Sequence, residues 1–204
     1  MKRKFLPGAH FDSMTRFYDF GSTLLNLGKG YRAKVQKHVR LGQKVLDAGC
    51  GTGSLAVDFA KKYTTTRMHA VDADTRMLNI AKNKAVRNSA HIAFQHGYLQ
   101  KLPYPNNTFD TVYSSLVFHH LPKRGKQEAL KEIRRVLKKG GKFYLIDVGK
   151  PSSVFSLLPR FAALFEEGKE NVNGELFRMI KAQFHNVEDI ARLQHDVRVV
   201  KARK

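Results

Sequence analysis

A glycine-rich turn between an apolar run and a helical pattern is the feature that most constrains this chain. Residues 45–55 read Val-Leu-Asp-Ala-Gly-Cys-Gly-Thr-Gly-Ser-Leu, so an apolar run ends in the acid Asp47 and three glycines follow at alternate positions. A strand, a tight loop and a helix N-terminus in this order let backbone N–H groups approach a nucleotide-like ligand. Glycine permits both positive φ angles and close approach of the ligand. The same pattern can also form a simple turn. Whether this loop binds a ligand must therefore be judged from other parts of the chain.

Apolar runs and amphipathic stretches alternate along most of the sequence. We predict strands at 44–48, 68–72, 91–96, 109–115 and 142–148, and helices at 11–27, 54–62, 75–87 and 126–139. Two short helical stretches, 153–166 and 174–184, precede two closing strands at about 187–193 and 196–202. Gly140 and Gly141 are expected to end helix 126–139. The pattern predicts an α/β fold, a Rossmann-like doubly wound sheet of seven mostly parallel strands with helices on both faces and an antiparallel edge strand.

The charge balance indicates an anionic partner. The chain has 37 Lys+Arg and 17 Asp+Glu, a net charge of +20, and such a field favours nucleic acid, an acidic membrane surface or an acidic small molecule. A merely solvated surface is the alternative interpretation. One basic set is expected on the polar side of helix 126–139: Lys126, Lys131, Arg134, Arg135 and Lys138.

Cysteine usage and hydropathy indicate the compartment. Cys50 is the only cysteine, which excludes an internal disulfide and a Cys-based zinc site. The basic N-terminus lacks the apolar stretch of a signal peptide, and no run approaches the ~18 apolar residues of a membrane span. These features predict a cytoplasmic protein, with peripheral association at a membrane left open.

A second acid narrows the ligand of the glycine loop. Asp72 ends the second predicted strand 19 residues after Gly53, close to the offset of about 20 residues for an acid that binds ribose hydroxyls. Ser54 stands where the dinucleotide motif G-x-G-x-x-G has its third glycine, and Asp47 would repel a pyrophosphate. A ligand with an adenosine, no phosphate and a cationic end suits the loop better. S-adenosylmethionine (SAM) has these properties, with Asp47 near its ammonium and Asp72 near its ribose.

Five segments in the same order resemble the successive motifs of class I SAM-dependent methyltransferases: 45–55, 70–74, 102–105, 109–121 and 137–141. The chain is most similar to the branch that includes the ubiquinone/menaquinone C-methyltransferases. Phe11-Asp12 and Phe17-Tyr18-Asp19 also resemble the N-terminal helices of that branch. The resemblance covers about residues 10–148, and the C-terminal third departs from it.

This resemblance implies a role for each matching residue. The methionine part of SAM would be lined by Asp47, Gly49, Cys50, Gly51, Thr52 and Gly53, with Ser115 nearby and Tyr18 closing over the cofactor. Asp72 would hold the ribose, and the adenine would lie against Ala73, Met77, Gly97, Tyr98 and Leu99. Many relatives have an acid where Tyr98 stands. Its ring or hydroxyl could replace that acid, or Tyr98 could point away.

Methyl transfer mainly requires alignment of donor and acceptor, and it leaves S-adenosylhomocysteine as the product. A general base is needed only when the acceptor must lose a proton, and histidine suits that role at neutral pH. His119 and His120 follow the fourth strand, where the acceptor should bind; they are either the base or a cap on the loop before Pro122. We predict no metal site, because no further ligands accompany them.

The acceptor is less defined than the donor. A dense apolar segment at 154–165 could enclose a hydrophobic acceptor such as a quinone or lipid, or it could pack on the sheet or in a homodimer. We predict an enzyme that methylates a small, hydrophobic acceptor at carbon or oxygen. The alternative is a basic nucleic-acid-binding protein or RNA methyltransferase on the same fold. Against base methylation, Ser114-Ser115-Leu116-Val117 is not the Asn/Asp-Pro-Pro-aromatic motif of that chemistry.

The length of 204 residues predicts a single domain spanning 1–204. Within it, the patterns and the resemblance predict four segments: an N-terminal helical cap at 1–40, a SAM-binding core at 41–149, a helical lid at 150–185 and closing strands at 186–204.

Overall fold

The computed structural model describes residues 29–150, 169–193 and 196–204. The predicted helix 11–27, Tyr18 and the apolar segment 154–165 lie outside these ranges. The described helices are α1 (Lys29–His38), α2 (Ser54–Lys62), α3 (Thr75–Arg87), α4 (Lys123–Val136), α5 (Lys169–Val172) and α6 (Glu175–Lys181). The strands are β1 (Lys44–Ala48), β2 (Arg67–Asp72), β3 (Ile92–His96), β4 (Phe109–Ser115), β5 (Leu137–Val148), β6 (His185–Arg192) and β7 (Val197–Arg203).

The described strands form one seven-stranded sheet in the order β3-β2-β1-β4-β5-β7-β6. Strands β1 to β5 pair in parallel, and β7 runs antiparallel to both of its neighbours. The order reverses between β1 and β4, which places a topological switch point at their carboxyl ends. The predicted α/β class and the mostly parallel sheet are confirmed. The antiparallel strand lies one position inside the edge, with β6 outside it.

Both faces of the sheet are covered, which explains the nearly continuous burial of the central strands. Leu46, Val112 and Leu145 pack with α4 and α6 on one face. Val45 and Tyr113 point to the other face, where α1 and α2 pack on the sheet. Neighbouring residues of one strand therefore pack against helices on opposite faces of the sheet. A ligand can reach the central strands only at their ends.

The boundary between α4 and β5 differs from the sequence prediction. The helix ends at Val136, and β5 begins at Leu137, three residues before Gly140. Amides of Asn107 and Thr108 donate to the last helical carbonyls, of Arg135 and Val136, at 3.0 and 2.7 Å. Leu137 is fully buried and pairs with Phe109. Gly140 and Gly141 therefore lie inside β5, where the register shifts, and do not end the helix.

The polar side of α4 is also less uniform than expected. Lys126 is fully buried, and its Nζ donates to Glu170 Oε2 at 2.7 Å. Because α5 covers it, Lys126 is not part of a solvated basic face. Lys131 and Arg134 are exposed as predicted.

Arg135 ties α4 to the loop before β4. Its Nε and Nη2 donate to the two carboxylate oxygens of Glu132 at 2.7 and 2.8 Å. The guanidinium also donates to the carbonyls of Leu102 and Tyr104 at 3.0 and 2.8 Å, and Glu132 accepts from the Leu102 amide at 2.8 Å. Arg135 holds the pKa of Glu132 below its usual value, so the pair is charged at neutral pH. Two prolines keep this loop from pairing with a strand, and the Arg–Glu pair satisfies its backbone instead.

Among the residues that the structure describes, no helix is long and apolar enough to cross a bilayer.

We predict that Arg135→Ala lowers the free energy of unfolding by about 2 kcal/mol, because several charge-assisted hydrogen bonds to the loop are lost together. Urea unfolding followed by circular dichroism measures this. The matched control is Arg134→Ala, an exposed neighbour on the same helix, which should change stability by no more than about 0.5 kcal/mol. Equal losses in both variants would contradict the role of Arg135.

Candidate active site

The glycine loop is fastened to the neighbouring strand β2. Amides of Gly49 and Cys50 donate to the Val71 carbonyl at 2.8 and 3.0 Å, and the Gly51 amide donates to Asp72 Oδ2 at 2.7 Å. All three loop glycines have positive φ, at 84°, 52° and 73° for Gly49, Gly51 and Gly53. The loop therefore keeps one conformation at the carboxyl end of the sheet, next to the switch point.

The three glycines differ in what surrounds them. A Cβ on Gly49 would come within 2.6 Å of Val117, and one on Gly53 within 2.8 Å of Ala81. A Cβ on Gly51 would meet nothing within 4 Å. Gly49 and Gly53 are thus required by the protein's own packing. Gly51 lies against open space in which a ligand can approach the loop.

Asp47 is a buried acid at the end of β1. Its Oδ2 accepts a hydrogen bond from the Tyr113 hydroxyl at 3.0 Å. Burial raises the pKa of Asp47 to about 8, with a further contribution from the charge of Asp72 and an opposing one from the Tyr113 hydrogen bond. The carboxyl group is therefore largely protonated at neutral pH, and a nearby cation would favour its ionised form.

Asp72 ends β2 and accepts hydrogen bonds with both carboxylate oxygens. Besides the Gly51 amide, it accepts from the Asp74 amide at 2.9 Å through Oδ1. Burial raises its pKa, and these amide hydrogen bonds oppose the shift. Each carboxylate oxygen has a second lone pair, so Asp72 can still accept from further hydroxyl groups.

The start of α2 is held by a lysine from α3. Lys84 Nζ donates to Thr52 Oγ1 at 3.1 Å and to Ser54 Oγ at 2.6 Å. Thr52 is buried, and Ser54, which distinguishes the loop from the dinucleotide motif, thus has a structural partner. Burial raises the pKa of the Cys50 thiol well above its usual value, which keeps it from acting as a thiolate.

The residues predicted to surround adenine lie around the ends of β2 and β3. The Gly97 amide donates to the Asp72 carbonyl at 3.0 Å, and His96 Nε2 lies 3.2 Å from the Ala73 carbonyl. Met77 and Leu99 are buried, whereas Tyr98 is 44% exposed, one of the two most exposed large apolar side chains described. The structure thus brings these residues together with the loop, and Tyr98 turns to the outside. Ser115 ends β4, paired with Ile146.

His119 forms a pair with a buried acid. It lies in a short 3-10 turn, Phe118–His120, directly after β4, and its Nδ1 is 2.7 Å from Asp147 Oδ1 at the end of β5. Burial alone would raise the pKa of Asp147, but His119 and the Val148 amide hold it below its usual value. The carboxylate is thus ionised at neutral pH, and Nδ1 donates to it. The His120 ring lies 3.9 Å from that of His119.

Sequence reasoning missed three residues that organise this edge: Tyr113, Lys84 and Asp147. Asp147 had a detectable signal, because it is the third acid to follow an apolar strand, as Asp47 and Asp72 do. Tyr113 and Lys84 had none, since each acts through a partner 30 or more positions away.

Comparisons with known proteins agree with this geometry. A family model described as a methyltransferase domain matches residues 45–141. The ubiquinone/menaquinone biosynthesis C-methyltransferase UbiE of Chromobacterium violaceum is 34% identical over 170 residues, covering 78% of this chain and 68% of that protein. A demethylmenaquinone methyltransferase of Staphylococcus aureus is 27% identical over 208 residues, covering 95% of this chain and 84% of its own length.

A solved structure shares the fold. The crystal structure of a SAM-dependent methyltransferase from Aquifex aeolicus superposes with a TM-score of 0.74 at 23% identity, over 95% of this chain and 98% of that one.

With this sheet, this loop and these relatives, the chain belongs to the class I SAM-dependent methyltransferases. SAM is its cofactor, and methyl transfer is its reaction. The site fits a cofactor of this charge: Gly51 lies against open space, and the acids Asp47 and Asp72 suit a cationic ligand.

We predict that Gly51→Ala weakens SAM binding at least tenfold while the protein remains folded. A methyl group at this position would project into the space in front of the loop. The positive φ costs an L-residue about 1 kcal/mol of stability. Gly140→Ala is the matched control, because Gly140 also has a positive φ, of 73°, with nothing within 4 Å of its Cβ. Isothermal titration should show weaker SAM binding in the first variant only; a similar loss in both would contradict the prediction.

Asp47 should make stability depend on pH. Its folded pKa of about 8 lies above the unfolded value of 3.8, so the folded state holds the proton more tightly between these values. The contribution of Asp47 is therefore fully present below about pH 4 and is lost as pH rises toward 8. Urea unfolding at pH 5 and pH 8 should show a smaller loss of stability in Asp47→Asn than in the wild type. An identical loss in both proteins would refute this linkage.

Proposed function

We propose that the enzyme methylates a ring carbon of a quinone-like acceptor in its reduced, hydroxylated form. The observation that carries this proposal is the His119–Asp147 pair. It lies at the carboxyl edge of the sheet, where β4 and its neighbour β5 end. Relatives named as ubiquinone/menaquinone and demethylmenaquinone methyltransferases support the acceptor class. The hydroxyl group of such a ring keeps its proton at neutral pH, so a base must remove it before the ring carbon reacts. An acceptor that is already ionised would need no base.

On the donor side, we assign the methionine end of the cofactor to the loop at Asp47, Gly49, Cys50, Gly51, Thr52 and Gly53, with Ser115 beside it. Asp72 would accept from the ribose hydroxyls, and the adenine would lie near Ala73, Met77, Gly97, Tyr98 and Leu99. When bound, SAM supplies a methyl group on a positively charged sulfur. Asp47 would ionise beside this cationic ligand, because an opposite charge lowers the pKa that burial raises.

On the acceptor side, His119 would accept the hydroxyl proton through Nε2. Asp147 holds Nδ1, which fixes the tautomer that leaves Nε2 as the acceptor. Loss of this proton raises the electron density at the ring carbon, which forms the new C–C bond as the sulfur–methyl bond breaks. The ring carbon then loses its hydrogen as a proton and the oxygen is reprotonated, so one proton is released overall. Asp147 stays ionised throughout and stabilises the imidazolium.

The acceptor assignment is tested with a short-chain demethylmenaquinol under anaerobic conditions. We expect transfer of a labelled methyl group from SAM to a ring carbon, detected by mass spectrometry. The oxidised quinone should not react, because it lacks the hydroxyl proton that His119 removes. Labelling at oxygen, or equal labelling of both redox forms, would contradict the proposal.

We predict that His119→Ala lowers kcat by about 10²- to 10⁴-fold, the usual contribution of a general base. Asp147→Asn should also lower kcat, but by less, because an amide can still contact Nδ1 of His119 although it lacks the charge of the carboxylate. SAM affinity should be unchanged in both variants. His91→Gln, at an exposed position before β3, is the control and should retain wild-type kcat. A wild-type kcat in Asp147→Asn would exclude the pair from the proton transfer.

We also propose that the basic end of the molecule associates with an anionic membrane surface. A groove of about 600 Å³ is lined by Lys131, Arg134, Arg135, Lys181 and His185, together with Ala182, Gln183 and Phe184. Within the described part of the chain, no ion pair joins Lys131 or Arg134 to an acid. A lipid-soluble acceptor favours a membrane over RNA as the anionic partner. The groove lies at the amino ends of the parallel strands, away from His119.

Because this groove is remote from the carboxyl edge, its charges should affect recruitment and not catalysis. The double variant Lys131→Glu/Arg134→Glu should lose most co-sedimentation with phosphatidylglycerol vesicles. Its kcat/KM for a soluble short-chain quinol should match the wild type. Wild-type binding should fall steeply with added salt. If the protein binds RNA but not vesicles, the anionic partner of the groove is a nucleic acid and not a membrane.

A further inference from the structure

The ammonium group of Lys84 lies beside the glycine loop. Lys84 belongs to α3, and its Nζ donates to Thr52 Oγ1 at 3.1 Å and to Ser54 Oγ at 2.6 Å. The two hydroxyl oxygens are 3.4 Å apart, so one cation holds both. Thr52 is buried, and Lys84 is half-buried. A positive charge is therefore fixed at the junction of the loop and α2, next to the cofactor site.

Packing sets the position of this charge before any ligand binds. Ala81, one turn before Lys84 in α3, is fully buried, and a Cβ on Gly53 would lie 2.8 Å from the Ala81 side chain. Asp74 caps the same helix by accepting from two amides of its first turn at 2.8 and 3.3 Å. The helix that carries Lys84 is thus in direct contact with the loop and has a fixed start.

The two hydroxyl groups extend the influence of the charge into the loop. An ammonium group only donates hydrogen bonds, so Thr52 and Ser54 both accept from Lys84 and turn their own hydrogens away from it. A hydroxyl that accepts from a charged donor is polarised and donates more strongly in turn. The first turn of α2, which the structure describes in full, contains no acidic residue. The potential at this junction therefore favours an anionic group of the ligand.

SAM has only one anionic group. It carries a sulfonium and an ammonium group, which are cationic, and a carboxylate. Asp47 and Asp72 suit the cationic groups and the hydroxyls of the ligand, but when ionised they repel its carboxylate. Lys84 supplies the opposite charge at Thr52, a residue assigned to the methionine end. Both requirements are met when the ammonium group of SAM faces Asp47 and its carboxylate faces Thr52.

We propose that Lys84 selects the carboxylate of SAM and thereby orients the methionine end of the cofactor at the loop. Its ammonium group acts by charge across Thr52 and Ser54, whose hydroxyls it holds, and needs no contact with the reacting atoms. Lys84 is therefore a positioning residue. This inference rests on the proposed assignment of the methionine end to the glycine loop, and it adds the residue that recognises the carboxylate.

The test compares binding of SAM with that of decarboxylated SAM, which lacks only the carboxylate, by isothermal titration of the full chain. We expect the wild type to bind SAM at least tenfold more tightly. Lys84→Gln removes the charge but keeps a side-chain N–H that can donate to the two hydroxyls. Its preference for SAM should fall at least fivefold, because SAM binds more weakly while the doubly cationic decarboxylated SAM binds at least as well as before. A purely structural role would weaken both ligands alike and leave the preference unchanged.

Lys84→Arg keeps the charge and should keep the preference within twofold of the wild type. Lys82→Gln, at an exposed position of the same helix, is the matched control for the loss of one charge and should also keep it. A wild type without this preference, or a Lys84→Gln variant that retains it, would overturn the inference.

The assignment of the loop itself is measured separately with Gly51→Ala, which should weaken both ligands. If it does so and Lys84→Gln keeps the preference, the donor site stands without a role for Lys84. If the preference depends on Lys84 but Gly51→Ala binds both ligands like the wild type, only the approach of the cofactor to Gly51 is wrong. Neither measurement involves the methyl acceptor, so failure of the proposed acceptor leaves both results unchanged.

Discussion

The hydrogen bonds between the glycine loop and β2 are the interaction on which the site depends. Two loop amides converge on the Val71 carbonyl, and a third is held by the Asp72 carboxylate. Without these bonds, three residues with positive φ would have little reason to keep one conformation. The same bonds connect the acid at the end of β2 with the loop that follows β1. The parts assigned to the two ends of the cofactor are thus one rigid unit, which reduces the conformational entropy lost on binding.

Parallel strands bring three acids to one edge of the sheet, and their surroundings give them different properties. Asp47 is buried beside Tyr113, and its pKa rises to about 8. Asp147 is equally buried, but His119 and backbone amides hold its pKa below the usual value. Burial therefore does not by itself decide the charge of a carboxyl group; the partners do. The different partners allow two acids with different behaviour to lie at one edge of the sheet. Asp47 ionises when a cation binds nearby, whereas Asp147 is always ionised.

Local sequence patterns were sufficient for α2, α3 and the strands, apart from the start of β5, because buried parallel strands are apolar runs and both helices have clear apolar faces. The end of α4 could not be predicted, since amides of Asn107 and Thr108, far along the chain, cap it before the diglycine. The loop and its acids could be recognised because they form short, continuous patterns at the ends of two apolar runs. Partners such as Tyr113 and Lys84 depend on strand register and helix packing, which no local pattern contains.

The arrangement of charge along the strands has a consequence for how ligands respond to ionic strength. SAM carries a net positive charge, yet it must bind to a protein of net charge +20. Among the described residues, most lysines and arginines are exposed, with Lys84 beside the loop as an exception, whereas Asp47 and Asp72 are buried or nearly so at the loop. Salt screens the distant, exposed charges far more than the buried ones. Raising the ionic strength should therefore relieve repulsion and preserve attraction for the cofactor, while it weakens any association of the basic groove with anions.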